Sequence, residues 1–108
     1  MEFPLKYELD LVSNGKMILS LDYDNKYRFE KAKKILKKLG FDYIFRKTKR
    51  GYHVIVLKNG KYYVDDIFKI LCLRCLLRDD EFRIIFDYFR YKNGCKKIGI
   101  LFDNKIYL

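Results

Sequence analysis

Leu5, Tyr7, Leu9 and Leu11 alternate with Lys6, Glu8 and Asp10, the period-2 pattern of a half-buried strand. Asn14-Gly15 follows, the pair favoured in a tight type I′ turn. The chain then returns as a mostly apolar strand from Lys16 to Asp24. Next the period changes: Phe29, Ala32, Ile35, Leu36 and Leu39 recur at helical spacing, which predicts a helix over Lys26–Leu39 with lysines on its other faces. Asp24 or Asn25 is placed to cap its start and Gly40 to end it. A second hairpin is predicted from Tyr43–Thr48 and Tyr52–Lys58, joined by the turn Lys49-Arg50-Gly51. Asn59-Gly60 and a short added strand, Lys61–Val64, come after it. Asp65-Asp66 opens a helix to about Leu77 that is apolar nearly all round and therefore expected to be central and buried. Asp79-Asp80-Glu81 opens a further helix, with acids at its positive end. The expected core stripe of that helix is Phe82, Ile85, Phe86 and Phe89. Asn93-Gly94 ends it, and Lys97–Asp103 reads as a last strand.

Without its first strand, this order is β-α-β-β-α-β. It predicts an α+β domain with a ferredoxin-like or RRM-like antiparallel sheet, an extra N-terminal hairpin strand, and helices on one face. In that plan the first and third core strands are central neighbours, the fourth flanks the first, and the uncovered face is free for ligands. The 108 residues suffice for a single domain, 1–108, with one core.

The formal charge of +10 favours a polyanionic partner, nucleic acid above all. No apolar stretch is long enough to span a bilayer. No amphipathic helix is expected to set an exposed aromatic face opposite its lysines, so no membrane role is predicted. No secretory signal is visible at the N-terminus, and Cys72, Cys75 and Cys95 do not read as a disulfide framework, so a reducing cytoplasm is expected. The CxxC spacing of Cys72 and Cys75 lacks the second pair that a structural zinc site needs, and both are assigned to core packing.

The candidate chemistry lies on the predicted central strands. Asp22 and Asp24 are two residues apart and share a face, where two close carboxylates repel each other. A Mg²⁺ or Mn²⁺ ion relieves that conflict and is often held by one or two carboxylates plus substrate phosphates. His53, the sole histidine, is expected on the neighbouring strand and the same face. Lys47, Lys49 and Arg50 form a basic loop suited to a triphosphate or a backbone phosphate, and Asp103 is a candidate third carboxylate. Together these residues compose a plausible nucleotidyl-transfer site. The bland readings are helix capping for Asp22 and Asp24, an ordinary polar contact for His53, and a turn for Asp103. Asp79-Asp80-Glu81 is read as helix N-terminal stabilisation, Asp87 and Arg90 as a surface pair, and Tyr43, Tyr62 and Tyr63 as candidate base-stacking rings.

At these residues the chain resembles the archaeo-eukaryotic primases and primase-polymerases. The matching segments are the apolar strand ending in Leu21-Asp22-Tyr23-Asp24, the basic turn into His53 in Lys49-Arg50-Gly51-Tyr52-His53-Val54, and Phe102-Asp103. The resemblance covers Met17 to Leu57 at the level of motifs, and the rest in topology. It implies Asp22 and Asp24, with Asp103, as ligands of Mg²⁺ or Mn²⁺ and His53 as a nucleotide-phosphate contact. It further implies DNA ahead of RNA as partner, a nucleoside triphosphate as substrate, and an archaeon or an archaeal virus or plasmid as source. Many members carry Ser two residues before the histidine, where this chain has Gly51. Rival readings are a non-catalytic RRM-like binding module, a dimeric ferredoxin-like protein similar to the smaller CRISPR adaptation subunit, and an interaction protein with no nucleic-acid role. A partner subunit is compatible with a minimal primase core, and a homodimer with the CRISPR-adaptation-like reading.

Overall fold

The computed structural model describes residues 14–95 together with residues 98 and 99. Of the strand expected over Lys97–Asp103 only Ile98 and Gly99 are described, neither of them in a strand, and the strand expected over Leu5–Leu11 and Asp103 itself lie outside the described residues. Within them the chain is an α+β fold of antiparallel strands with three helices.

Asn14 and Gly15 both have positive φ (66° and 72°), as a type I′ turn requires, and they lead into β1 (Lys16–Ile18) and β2 (Ser20–Tyr23). The sequence shows these two as one strand. The structure splits them at Leu19, whose N–H donates to the Tyr63 carbonyl (3.0 Å) and whose carbonyl accepts from Val56 N–H (3.0 Å). Helix α1 (Lys26–Lys38) follows, then β3 (Asp42–Lys47), β4 (Tyr52–Lys58), β5 (Lys61–Tyr62) and β6 (Val64–Asp66). The single strand expected over Lys61–Val64 is thus two short ones. They pair with different neighbours, β5 with β4 and β6 with β1, while the main sheet runs β2-β4-β3. The first and third core strands are therefore side by side, as expected.

Helix α2 (Ile67–Leu76) is capped by Asp66, and α3 (Glu81–Lys92) by Asp80, whose carboxylate accepts from Phe82 and Arg83 N–H. Leu21, Tyr23, Val54 and Val56 from the sheet form one buried cluster with Phe29, Ala32 and Leu36 of α1 and with Ile67, Ile70 and Leu71 of α2. Ser20, His53 and Ile55, on the opposite face of the sheet, are also buried, so that face is not the open platform the ferredoxin-like plan anticipates. Tyr43 and Tyr63 pack against the core and Tyr62 against Ile55, each half-buried.

The helices bring three corrections. Helix α2 buries Ile67, Ile70, Leu71 and Arg74, but Phe68, Leu76, Cys72 and Cys75 are exposed, so the cysteines are not core. In α3 the stripe expected in the core, Phe82, Ile85, Phe86 and Phe89, faces solvent, while Ile84, Tyr88 and Tyr91 pack inward. Asp87, read as half of a surface pair, is buried on that inward side. The helix is apolar on two sides, and ionic contacts decide between them. Arg74, fully buried in α2, donates to Asp79 Oδ2 (2.7 Å) and Asp87 Oδ2 (2.9 Å). A buried guanidinium requires such partners, and meeting Asp87 fixes the rotation of α3.

Candidate functional site

Antiparallel pairing sets Asp22 of β2 opposite His53 of β4, and His53 opposite Arg46 of β3. Directly opposed residues share a face, so Asp22, His53 and Arg46 form one row across three strands. Arg46 Nε and a guanidinium NH₂ nitrogen donate to His53 Nδ1 at 3.1 and 3.0 Å. An arginine has no acceptor, so Nδ1 accepts and the ring hydrogen of the neutral imidazole sits on Nε2. That nitrogen faces Asp22 Oδ1 at 3.6 Å, beyond hydrogen-bond length. His53 is only 4% exposed.

Asp24 follows β2 in the bend before α1. Asn25, not Asp24, caps that helix, by accepting from Arg28 N–H (2.8 Å). Asp24 is thereby released from the capping role and, with Asp22, Arg28, Asp80, Glu81 and Phe82, lines a cleft of about 130 Å³. The basic turn lies beside it. Thr48 and Gly51 close this turn, Thr48 N–H to the Gly51 carbonyl (2.8 Å) and Gly51 N–H to Thr48 Oγ1 (3.0 Å). Gly51 lies against the backbone of Tyr23 and Asp24. Lys49 and Arg50 are exposed at its tip. Lys47 falls on the opposite face of β3 from Arg46, because adjacent strand residues alternate.

Asp79 and Arg83 hold the outer edge of β2. Asp22 N–H donates to Asp79 Oδ1 (2.7 Å), and the Ser20 carbonyl accepts from Arg83 Nη1 (3.0 Å). Arg83 also reaches Asp79 Oδ2 (2.7 Å), Ser20 Oγ (2.6 Å) and the Gly99 carbonyl (2.7 Å). At Ser20 and Asp22, side chains therefore satisfy the outward-facing backbone groups of β2.

Burial pushes the Asp22 carboxyl up from 3.8 to about 6. Arg83 opposes the shift, and Asp79, Asp80 and Asp24 add to it. Between 3.8 and 6 the folded chain keeps a proton that the unfolded chain has lost. The Asp22 contribution to stability is thus fully present below 3.8 and disappears as the pH rises through 6. A fully buried group shifted this far represents roughly 3 kcal/mol. With 35% of the side chain exposed, screening lowers this to the order of 1 kcal/mol. Asp22→Asn is accordingly expected to be more stable than the parent at pH 7.5 by about that amount and equal to it near pH 4, as urea unfolding at the two pH values would measure.

The structure thus brings Asp22, Asp24 and His53 together, with Lys49 and Arg50 on the turn beside them, while Asp103 lies outside the described residues. Sequence reasoning missed Arg46, Arg28 and the edge clamp of Asp79 and Arg83. Arg46 had a usable signal: a turn closed between Thr48 and Gly51 sets it opposite His53. No group of three or more His, Cys, Asp or Glu residues among the described residues is arranged to hold a metal ion. No helix among them is long and apolar enough to cross a membrane.

The chain matches no family model, no curated protein and no solved structure.

Proposed function

We propose that this chain is a primase-like, RRM-like domain that binds nucleic acid and a nucleoside triphosphate, with a divalent cation held at Asp22 and Asp24. The observation that carries the reading is the cross-strand row Asp22–His53–Arg46, with Asp24 and a basic turn at its end. Burial raises the Asp22 carboxyl, with Asp79, Asp80 and Asp24 adding to the shift, and a cation bound there would favour the charged form. Two carboxylates fit Mg²⁺ or Mn²⁺ when substrate phosphates complete its shell, and such an ion would supply charge stabilisation for phosphoryl transfer. Arg28, on the cleft wall, and Lys49 and Arg50, on the adjacent turn, would bind phosphate oxygens. His53, with Arg46 on Nδ1 and Asp22 facing Nε2, acts here as a positioning residue. The lysine-rich faces of α1, which carries seven basic residues and one acid, would track the nucleic-acid backbone.

A non-catalytic RRM-like module is the second reading, favoured by the burial of His53, which is only 4% exposed and so poorly placed to meet a substrate phosphate. Two measurements separate the two. Binding to single-stranded DNA is expected to weaken at least ~10-fold between 50 and 200 mM salt in either case. Mn²⁺-dependent triphosphate binding and nucleotide incorporation are expected only in the first, and Asp22→Ala with Asp24→Ala should abolish both while leaving DNA binding intact. Incorporation that survives the double substitution discards the assignment, and triphosphate binding indifferent to Mn²⁺ leaves the binding module.

A further inference from the structure

Helix α3 carries its largest apolar side chains outward: Phe82, Ile85, Phe86 and Phe89 are between 47% and 70% exposed. They recur at i, i+3, i+4 and i+7, one continuous stripe. Leu76 and Cys75 of α2 extend it through a groove shared with Ile85. Aromatic side chains present about 200 Å² each, so the three rings with Ile85 and Leu76 expose apolar surface of the order of 500 Å². That is at the upper end of what a monomer leaves uncovered. It is also the apolar share of a standard interface, which covers about 800 Å² per partner and is somewhat more than half apolar.

We infer that this stripe is the interface of a homodimer, two α3 helices packed antiparallel about a two-fold axis. Charge supports a second copy over another partner. The chain carries +10 overall, but the outward charges along residues 80–92 are few and mixed, Asp80 and Glu81 against Arg90 and Lys92, because Asp87 and Arg83 are turned inward. Helix α1 takes the basic role, and α3 is the surface on which two copies meet without strong repulsion. The charges are also segregated: Glu81 lies in the first turn, and Arg90 and Lys92 in the last. Antiparallel pairing sets each acidic end beside the other copy's basic end and opposes the helix dipoles. A parallel arrangement stacks like charges.

The apolar layers fit as well. Phe82 and Phe89 are equidistant from the midpoint between Ile85 and Phe86, so a two-fold axis there puts Phe82 of each copy in one layer with Phe89 of the other, and Ile85 and Phe86 at the centre. Such an interface is self-complementary, as a two-fold contact must be. Because Phe82 and Glu81 also line the Asp22–Asp24 cleft, the second copy's Arg90 and Lys92 would stand at the rim of that cleft. The inference is argued from the exposed stripe of α3 and does not depend on the proposed activity.

Sedimentation equilibrium of the full chain, from about 1 to 200 µM, tests this. A monomer–dimer equilibrium is expected. Phe86→Glu, at the centre of the stripe, should raise the dissociation constant at least ~30-fold without changing the circular dichroism. Tyr27→Glu, on exposed α1, should leave it unchanged. As a check that does not remove an aromatic ring, Glu81→Lys should weaken the dimer several-fold and Lys92→Glu in the same chain should restore it. A monomer at all concentrations overturns the inference, as does a dimer indifferent to both Phe86→Glu and Glu81→Lys. Capture of a monomer by anionic lipid vesicles, lost in Phe86→Glu, overturns it too, in favour of a membrane surface.

Discussion

Arg74→Met is expected to lower stability by about 3–5 kcal/mol, the cost of leaving a buried charge without its partner. Arg74 is fully buried, and its guanidinium joins Asp79 to Asp87. Removing it affects the two acids unequally. Asp79 keeps Arg83 at 2.7 Å. Asp87, itself buried, is left with Arg90 at 3.3 Å, a half-exposed side chain, so most of the loss should arise at Asp87. Arg74→Lys keeps the charge but lacks the planar fork that reaches both carboxylates, and should recover only part of the loss. The double variant Arg74→Met/Asp87→Leu removes the stranded carboxylate and should be more stable than Arg74→Met alone. Urea unfolding of the two single variants and the double gives the coupling between the residues. Additive losses would mean that the pair is not a unit. Because Asp79 also accepts from Asp22 N–H, loosening this network should weaken triphosphate binding through the backbone of β2, with no change to any cleft side chain.

The same network marks where the sequence stops being legible. The local pattern predicts α1, β3 and β4 well: α1 has one apolar face and a cap, and β4 is a run of apolar, β-branched residues, buried on both faces and joined to β3 by a turn. The order β2-β4-β3 follows from the antiparallel plan, and with it the meeting of Asp22 and His53. Alternation within each strand then puts both on one face. Arg46 is a matter of one residue in a turn. A three-residue turn Lys49-Arg50-Gly51 would have set Arg46 against Val54. The observed closure between Thr48 and Gly51 sets it against His53 instead. The orientation of α3 is not in its own sequence at all. Phe82, Ile85, Phe86 and Phe89 form as good a core stripe as Ile84, Tyr88 and Tyr91, and the choice is made by Arg74, on another helix. A buried arginine in an apolar run is read locally as an exposed interruption. Its partners, Asp79 and Asp87, read locally as a helix start and a surface charge.

Gly51→Ala should be nearly as damaging, for a steric reason. A Cβ at position 51 would lie 1.8 Å from the Tyr23 carbonyl oxygen, 2.7 Å from its carbon and 2.9 Å from the Asp24 carbonyl carbon. These are backbone atoms of the strand end that carries the candidate ligands, so no side chain can move aside to make room. Either the turn lifts off β2 or the Tyr23–Asp24 segment shifts. Overpacking of this kind costs about 1–3 kcal/mol, and more where backbone must move, so a loss of roughly 2–4 kcal/mol is expected in urea unfolding. Gly51→Ser adds the same Cβ and should lose as much, although Ser stands two residues before the histidine in many primases. The local backbone packing decides the residue at this position. The control is Arg50→Ala, at the exposed tip of the same turn, which should leave stability within about 0.5 kcal/mol while weakening triphosphate binding. Equal stability of Gly51→Ala and the parent would show that the turn does not rest on Tyr23 and Asp24. The basic loop would then have no fixed place beside the carboxylates, and the case for a shared phosphate site would go with it.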